Sequence, residues 1–192
     1  LQAIFELQRP VRTEFLERIY TLTEGNPFFI EEVLKVLVAA GEVFYADDGW
    51  TRKSMQELHI PPSVQEAVRR RTQQLGAAAR HLLTLAAVVG RRFDFALLQE
   101  VAGHAEAELA ALIKEMVAAQ LVVEEGSEQF AFRHALTRQA VYSGLLGRER
   151  QSLHRTIATA SERIYGGTFD PSARTGAAAQ VAELAYHFYE AG

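Results

Sequence analysis

The chain has 192 residues, of which 48% are hydrophobic and 23% charged, and its formal net charge is −4. These values are typical of a globular protein with one large domain or two to three small ones, and the acidic balance gives no global reason to expect nucleic-acid or membrane binding. The absence of cysteine excludes disulfides and thiolate–metal sites, and we expect a reducing, cytoplasmic location.

The first part of the chain, residues 1–58, is predicted to consist of helices followed by a hairpin. An apolar stripe at helical spacing follows Pro27, while Gly25 and Asn26 suit the end of the preceding helix and the cap of the next. Pro27 is suited to a first helical position. The turn residues 47–49 lie between two short apolar runs and predict a β-hairpin over 42–52.

The second part, residues 59–134, has the element order of a winged helix. Ser63 and Glu66 form a capping-box pattern that predicts a helix start, followed by helices over 64–75, 77–89, 95–102 and 105–119. Asp94 is predicted to cap the short third helix. A second hairpin over 121–133 turns at residues 126–127. The last three of these helices and the hairpin that follows them indicate a winged-helix subdomain.

The third part, residues 135–192, is predicted to be helical again. Helices are expected over 136–146, 148–165 and the last residues, with 166–176 as the most loop-like stretch. Paired helices suggest the first turn of a helical array, although one pair does not establish a repeat. The predicted fold class is therefore mainly α with two short β-hairpins. We expect the chain to be part of a longer protein, because it starts without Met and ends just after a helical pattern.

An Arg-His pair lies where the last predicted strand runs into a helix. The first turn of a helix offers unpaired N–H groups and a positive dipole end, so Arg133 and His134 form a candidate anion site. No G-x-x-x-x-G-K-[ST] loop is present. The sequence thus predicts part of a nucleotide switch without the part that performs the chemistry.

Several segments, in order, resemble bacterial STAND-class ATPases, large signal-transduction regulators of which many end in a LuxR-type DNA-binding domain. The matching segments are Thr23-Glu24-Gly25-Asn26-Pro27-Phe28-Phe29-Ile30-Glu31-Glu32-Val33-Leu34, Ile60-Pro61-Pro62-Ser63-Val64, Ala86-Ala87-Val88-Val89-Gly90-Arg91-Arg92-Phe93-Asp94, Phe132-Arg133-His134-Ala135-Leu136-Thr137-Arg138 and Leu184-Ala185-Tyr186-His187-Phe188-Tyr189-Glu190-Ala191-Gly192.

The resemblance implies the end of the helical lid of an AAA-like ATPase, a winged helix, and the start of a tetratricopeptide-like array. It further implies that Gly25 and Pro27 contact the adenine, and that His134, with Arg133 beside it, reaches the phosphates in the ADP-bound state. Ala135 stands where the eukaryotic relatives carry an acid. ATP or ADP with Mg²⁺ is expected for the full-length parent and no cofactor for this part, since the P-loop and the Mg²⁺ ligands would lie upstream.

The implied partners are an upstream ATPase core and downstream helical repeats in the same chain, and a protein or small-molecule inducer. The alternative function is a protein-interaction scaffold without nucleotide sensitivity. A DNA-binding winged helix is disfavoured, because the helix over 105–119 and the wing carry six glutamates against Lys114. No enzyme motif or metal spacing is present, and the other histidines show no metal-like clustering. Glu24 is interpreted as a helix-end charge, and Arg91 and Arg92 as loop residues that could face a nucleotide or an acidic neighbour.

Overall fold

The computed structural model describes residues 13–39, 43–46, 49–52, 61–165 and 176–192. Within these ranges the chain is mainly α-helical with short antiparallel β elements, which confirms the predicted fold class. The helices are α1 (Thr13–Thr23), α2 (Pro27–Ala39), α3 (Pro62–Gln73), α4 (Ala77–Val89), α5 (Phe95–Ala102), α6 (Glu106–Ala118), α7 (Ala135–Ser143), α8 (Gly147–Tyr165) and α9 (Gly176–Ala191). The strands are β1 (Val43–Ala46), β2 (Gly49–Arg52), β3 (Arg92–Asp94), β4 (Val122–Gly126) and β5 (Gln129–Phe132).

Helices α1, α2 and α3 share one apolar cluster. Of the stripe predicted after Pro27, Val33, Leu34 and Leu37 are buried in it and Ile30 packs against it, whereas Val38 is exposed. Leu136 of α7 completes the cluster, so this helix contacts the first helices of the chain. The buried members are Phe15, Ile19, Phe29, Val33, Leu34, Leu37, Val64, Val68 and Leu136.

The two predicted hairpins are both present. In the first, β1 pairs antiparallel with β2, with Tyr45 opposite Trp50 and Ala46 opposite Gly49. In the second, β4 pairs with β5 and a register shift lies between Glu124 and Gly126. The predicted turn at Asp47 and Asp48 lies outside the described residues.

The middle of the chain forms a second, larger cluster around α4. This helix buries eight of its residues, including Leu82, Leu83 and Val88, which explains its apolar sequence. Helices α5 and α6 and a three-stranded sheet of order β3-β5-β4 surround it. The element order α4-β3-α5-α6-β4-β5 is the predicted winged-helix order with one further strand. Strand β3 was not predicted, because three residues are too few to show an alternating pattern.

The structure corrects the predicted start of α3. The N-cap residue is Pro61 and makes no side-chain cap, so Ser63 and Glu66 do not form a capping box. The Ser63 hydroxyl donates instead to Glu32 of α2, and Glu66 pairs with Arg69 and Arg70 on its own helix. The proline at N1 begins the helix, since its ring fixes φ and its missing N–H needs no partner there.

Of the last three helices, α7 contributes to the first cluster and α8 to the second, and α9 packs against α8. The contact between α8 and α9 is the most extensive between any two of the described elements, and α8 also contributes Ile157 and Ala160 to the second cluster. Helix α3, assigned from sequence to the segment 59–134, buries Val64 and Val68 in the first cluster. The boundaries at 58 and 134 remain predictions.

Candidate functional site

The turn between α1 and α2 has a left-handed backbone at two consecutive residues. Glu24 has φ of 52° and Gly25 of 78°. The amide of Glu24 donates to the Tyr20 carbonyl at 2.6 Å and that of Asn26 to Thr23 at 2.9 Å. Glycine adopts such a φ without steric cost, whereas Glu24 is strained unless its surroundings hold it. The predicted helix end at Gly25 is confirmed.

Asn26 caps α2 as predicted, and Pro27 is the first residue of that helix. The Asn26 side-chain oxygen accepts from the amide of Phe28 at 3.1 Å, which satisfies one of the free donors of the first turn. Gly25 and Pro27 therefore flank the capping residue in one turn, and both are exposed. Their predicted contact with adenine remains a prediction.

His134 is the residue immediately before α7, and its side chain contacts the turn at 24–27 instead of capping that helix. It has φ of −140° and ψ of 141° and makes no side-chain cap. Its Nε2 lies 3.3 Å from Nδ2 of Asn26, and the Phe29 ring packs edge-on against the imidazole with centroids 5.1 Å apart. The structure thus brings the turn at 24–27 and His134 together.

The Glu24 carboxylate lies between His134 and an arginine of the loop before β3. One oxygen is ion-paired with Nη2 of Arg91, and the other lies 3.5 Å from Nδ1 of His134. The side chains of Glu24 and His134 are each only 19% exposed. An acid is therefore present at this histidine although position 135 is Ala, since Glu24 supplies it from a distant part of the chain.

The histidine lies in a cationic environment. Burial is the main cause that lowers its pKa, and the charges of Arg133, Arg71 and Arg91 act in the same direction. Glu24 opposes them, but its charge is shared with Arg91. At neutral pH the imidazole is therefore uncharged, with three arginines and one carboxylate around it.

Arg133 contributes a second polar group to this region. Its Nε atom is buried and has no hydrogen-bond partner among the described residues. A buried guanidinium nitrogen without an acceptor is costly, so an acceptor oxygen arriving from outside the described residues would stabilise it. Of the four predicted site residues, Gly25 and Pro27 thus lie in the turn, while Arg133 and His134 lie at the start of α7.

Sequence reasoning missed the place of Glu24 in the site and did not distinguish Arg91 from Arg92. Glu24 was interpreted as a helix-end charge, yet it is mostly buried and ion-paired. Arg91 was one of two adjacent arginines, and only the structure separates them, because Arg92 pairs with Glu125 in the wing. The available signal was the arginine pair following Gly90 in a loop between a buried helix and a capping aspartate.

No family model matches this chain. The chain is similar to the uncharacterized protein R02095 of Rhizobium meliloti (strain 1021), with 30% identity over 163 residues. The match covers 81% of this chain but 15% of that protein. The chain thus spans a small part of the length of the curated relative it matches.

The chemistry of the site fits a phosphate better than a metal ion. Arginines and a neutral imidazole are donors to anionic oxygens, and arginine in particular recognises phosphate through two parallel hydrogen bonds. Among the described residues there is no group of three or more His, Asp or Glu side chains that could hold a metal. The predicted absence of a bound metal remains a prediction. Within the same part of the chain, no helix combines the length and apolarity that crossing a bilayer requires.

Proposed function

We propose that this chain is the regulatory part of a STAND-type, ATP-dependent transcriptional regulator of the bacterial LuxR-family type. In this proposal it couples the nucleotide state of an upstream ATPase core to a signal sensed by downstream helical repeats. The observation that carries it is the contact of Asn26 and Glu24 with His134, which joins the turn at 24–27 to the start of α7.

The proposal assigns the phosphate groups of the nucleotide to the cationic side of His134. A neutral imidazole donates one N–H to a phosphate oxygen, while Arg133 offers its unpartnered Nε and Arg91 its guanidinium. The positive end of α7 points to the same place and adds a favourable field. Gly25 and Pro27 are assigned to the adenine, since both residues are exposed in the turn.

Glu24 has a definite part in this scheme. In the described conformation its carboxylate neutralises Arg91 and approaches His134, so it holds the place of an anion. A phosphate at the same place would repel the carboxylate and take over both partners. Loss of nucleotide would return Glu24 to Arg91. The two arrangements differ in their contacts, which any ligand-driven switch requires.

The chemistry of hydrolysis is assigned to the upstream core and not to this chain. Positioning of Mg²⁺ and of the attacking water in such ATPases depends on a P-loop and on acids that have no counterpart in this sequence. ATP or ADP with Mg²⁺ would therefore bind at the junction with that core. A cytoplasmic location is part of the proposal.

The test is retention of ADP by the full-length protein, with wild type compared with His134→Ala. Loss of a hydrogen bond to a charged group weakens binding by roughly tenfold or more, so the variant is expected to release ADP that the wild type retains. His81→Ala is the matched control, because His81 is exposed on α4. Equal ADP affinity in wild type and His134→Ala would contradict the phosphate role and favour the scaffold alternative.

A second variant tests Glu24 separately. Glu24→Gln keeps the size of the side chain but removes the competing charge, so it is expected to bind ADP more tightly than wild type. Weaker ADP binding in this variant would show that Glu24 supports the nucleotide site instead of competing with the ligand.

A further inference from the structure

Two buried histidines face each other between α8 and α9. His154 and His187 are 0% and 1% exposed, and their Nδ1 atoms lie 2.8 Å apart. The two residues are 33 positions apart in the chain, so their pairing is not visible in the sequence. Buried polar groups are usually hydrogen-bonded, so the donors and acceptors around the two rings indicate where their protons lie.

Each histidine has one further neighbour that constrains its protons. The Tyr142 hydroxyl of α7 lies 2.9 Å from Nε2 of His154. The main chain of Val89, at the end of α4, acts on the His187 ring as a hydrogen-bond acceptor. His187 Nε2 is buried and has no hydrogen-bond partner among the described residues.

The short distance between the two Nδ1 atoms fixes how the protons are shared. A distance of 2.8 Å requires one proton between them, so one neutral ring is the Nδ1–H tautomer and donates, and the other is the Nε2–H tautomer and accepts. If the Tyr142 hydroxyl donates to Nε2 of His154, then His154 is the donor of the pair. If Nε2–H of His154 donates to the hydroxyl, then His187 is the donor.

We infer that the His154–His187 pair is an acid-sensitive clasp, whose hydrogen bond holds α9 against α8 while both imidazoles are neutral and which added protons weaken. A first added proton goes to the one Nε2 atom that lacks a proton, so the bond between the Nδ1 atoms remains, but it places a positive charge on rings that are 0% and 1% exposed. A second added proton places an N–H on both Nδ1 atoms, which then repel each other. Separation of α9 from α8 gives the charged rings access to water, so acid favours separation. This inference rests on α7, α8 and α9 and does not depend on the proposed nucleotide site.

The charged groups around the clasp mostly oppose a proton on it. Burial lowers the pKa of His154 first, and Arg138 and Arg150 act in the same direction while Glu190 opposes them. Burial also lowers the pKa of His187, to about 4, with the neighbouring His154 as the next cause. The titratable or charged groups that face the pair are Arg138 and Tyr142 from α7, Arg150 from α8, and Tyr186 and Glu190 from α9.

Acidification therefore acts directly on the contact between α8 and α9. From α4, the main chain of Val89 is the group that acts on the pKa of His187. Helix α4 itself is held by apolar contacts that do not titrate. Amide hydrogen exchange can distinguish opening of α9 from opening of α4, because it reports local opening of each element.

The first test uses the unmodified chain and the imidazole nitrogen resonances in NMR. At pH 7.5 we expect one ring as the Nδ1–H tautomer and the other as the Nε2–H tautomer. Two Nε2–H tautomers, or two rings that titrate as an exposed histidine does, would overturn the inference. This measurement requires no variant to fold.

The second test compares protection of α9 and α4 at pH 7.5 and pH 5, in exchange corrected for the intrinsic effect of pH. The wild type is expected to lose about tenfold of its protection in α9 and none in α4. His187→Asn keeps an acceptor oxygen near the Nδ1 position but does not titrate, so its α9 protection is expected to change little. His81→Asn, on an exposed position of α4, should behave as wild type. Unchanged α9 protection in the wild type, or an equal loss in His187→Asn, would overturn the clasp.

Discussion

Asn26 and His134 are separated by 108 positions in the chain, yet Nδ2 of Asn26 lies 3.3 Å from Nε2 of His134. Asn26 also caps α2 through its oxygen, so one side chain ties the start of α2 to the residue before α7. A displacement of the turn at 24–27 would therefore alter the contact with His134. Because the Asn26 oxygen makes the cap and its nitrogen makes the contact, substitutions can remove one without the other.

Asn26→Ala is expected to lower the free energy of unfolding by about 1 kcal/mol or somewhat more, because it removes both the cap of α2 and the contact with His134. Asn26→Ser keeps a capping oxygen but is too short to reach the imidazole, so it should recover the larger part of the loss. Urea unfolding of the three proteins measures both effects. Equal destabilisation by Ala and Ser would mean that the contact with His134, and not the cap, carries the energy.

Gly25→Ala is expected to destabilise the chain by about 1 kcal/mol, since a Cβ is strained at φ of 78°. The added methyl would meet only a Tyr20 ring carbon at 3.7 Å, so backbone strain and not crowding is the cause. Gly147→Ala is the matched control: it begins α8, and nothing lies within 4 Å of an added Cβ. Thermal unfolding should show a lower Tm for the first variant only. A control variant as unstable as Gly25→Ala would contradict the assigned cause.

The stability of the chain is expected to fall as the pH is lowered from 7 to 5. The pKa values of His134, His154 and His187 are all lowered by burial, so the unfolded chain binds more protons than the folded one below pH 6.5. For His187, with a pKa of about 4, the stabilising contribution is complete above pH 6.5 and is lost progressively down to about pH 4.

Carboxyl groups also change the stability of the chain with pH, and they act differently from the histidines. The lowered pKa values of Glu32 and Glu125 act below their ordinary value of 4.5, so they contribute little above pH 5. Glu183 has a raised pKa because of burial, so it contributes stability on acidification and opposes the histidines. Urea midpoints at pH 7 and 5 measure the balance, and Glu183→Gln should enlarge the loss. An unchanged or higher midpoint at pH 5 would contradict the assignment of neutral, buried imidazoles.

Asp94→Ala is expected to cost about 2 kcal/mol, because one carboxylate serves two helices. One oxygen caps α5 by accepting from the Leu97 amide at 2.6 Å, and the other accepts from the Tyr165 hydroxyl of α8. Asp94→Asn keeps the capping oxygen, so it should lose only the contribution of the hydrogen bond from Tyr165. Burial and Asp94 raise the pKa of Tyr165, so absorbance titration of Tyr165 should show a lower pKa in Asp94→Ala. An unchanged tyrosine titration would mean that the hydroxyl does not contact Asp94 in solution.

The segment over 59–134, predicted to be a winged helix, is expected not to bind DNA. Glu106 and Glu108 are exposed on α6, and Glu124, Glu125 and Glu128 are exposed on the wing. Since contacts to phosphate dominate DNA affinity, such a surface is repelled at low salt, where binding is otherwise strongest. A gel shift with duplex DNA at low salt measures this. A shifted band that disappears as salt is raised would contradict the expectation and restore the DNA-binding reading.

Patterns with a local cause were predicted from the sequence. The cap by Asp94, the helix start at Pro27 and the buried face of α2 follow from neighbouring residues, and all are present in the structure. The capping box at Ser63 failed for a tertiary reason, because Glu32 of another helix competes for the hydroxyl. Glu115 was counted as a surface charge of α6, yet it accepts from the amide of Gly76 at the start of α4.

In the candidate site, too, the local positions were predictable from the sequence and the tertiary contacts were not. Asn26 and His134 each occupy a local position that the sequence indicates, a cap and a strand-to-helix junction. Their contact, and the ion pair of Glu24 with Arg91, depend on how α1, α3 and α7 pack together, and no spacing encodes that. The clasp of His154 and His187 was missed for the same reason.

Helix α7 carries one more consequence. It is only nine residues long, with His134 just before its first turn and Tyr142 about 12 Å further along its axis. Between them, Nε of Arg138 donates to the Ala87 carbonyl of α4 at 2.8 Å. Contacts therefore lie at both ends of this helix and near its centre, with the turn at 24–27, with α4 and with His154. A rigid movement of α7 would alter all three contacts together.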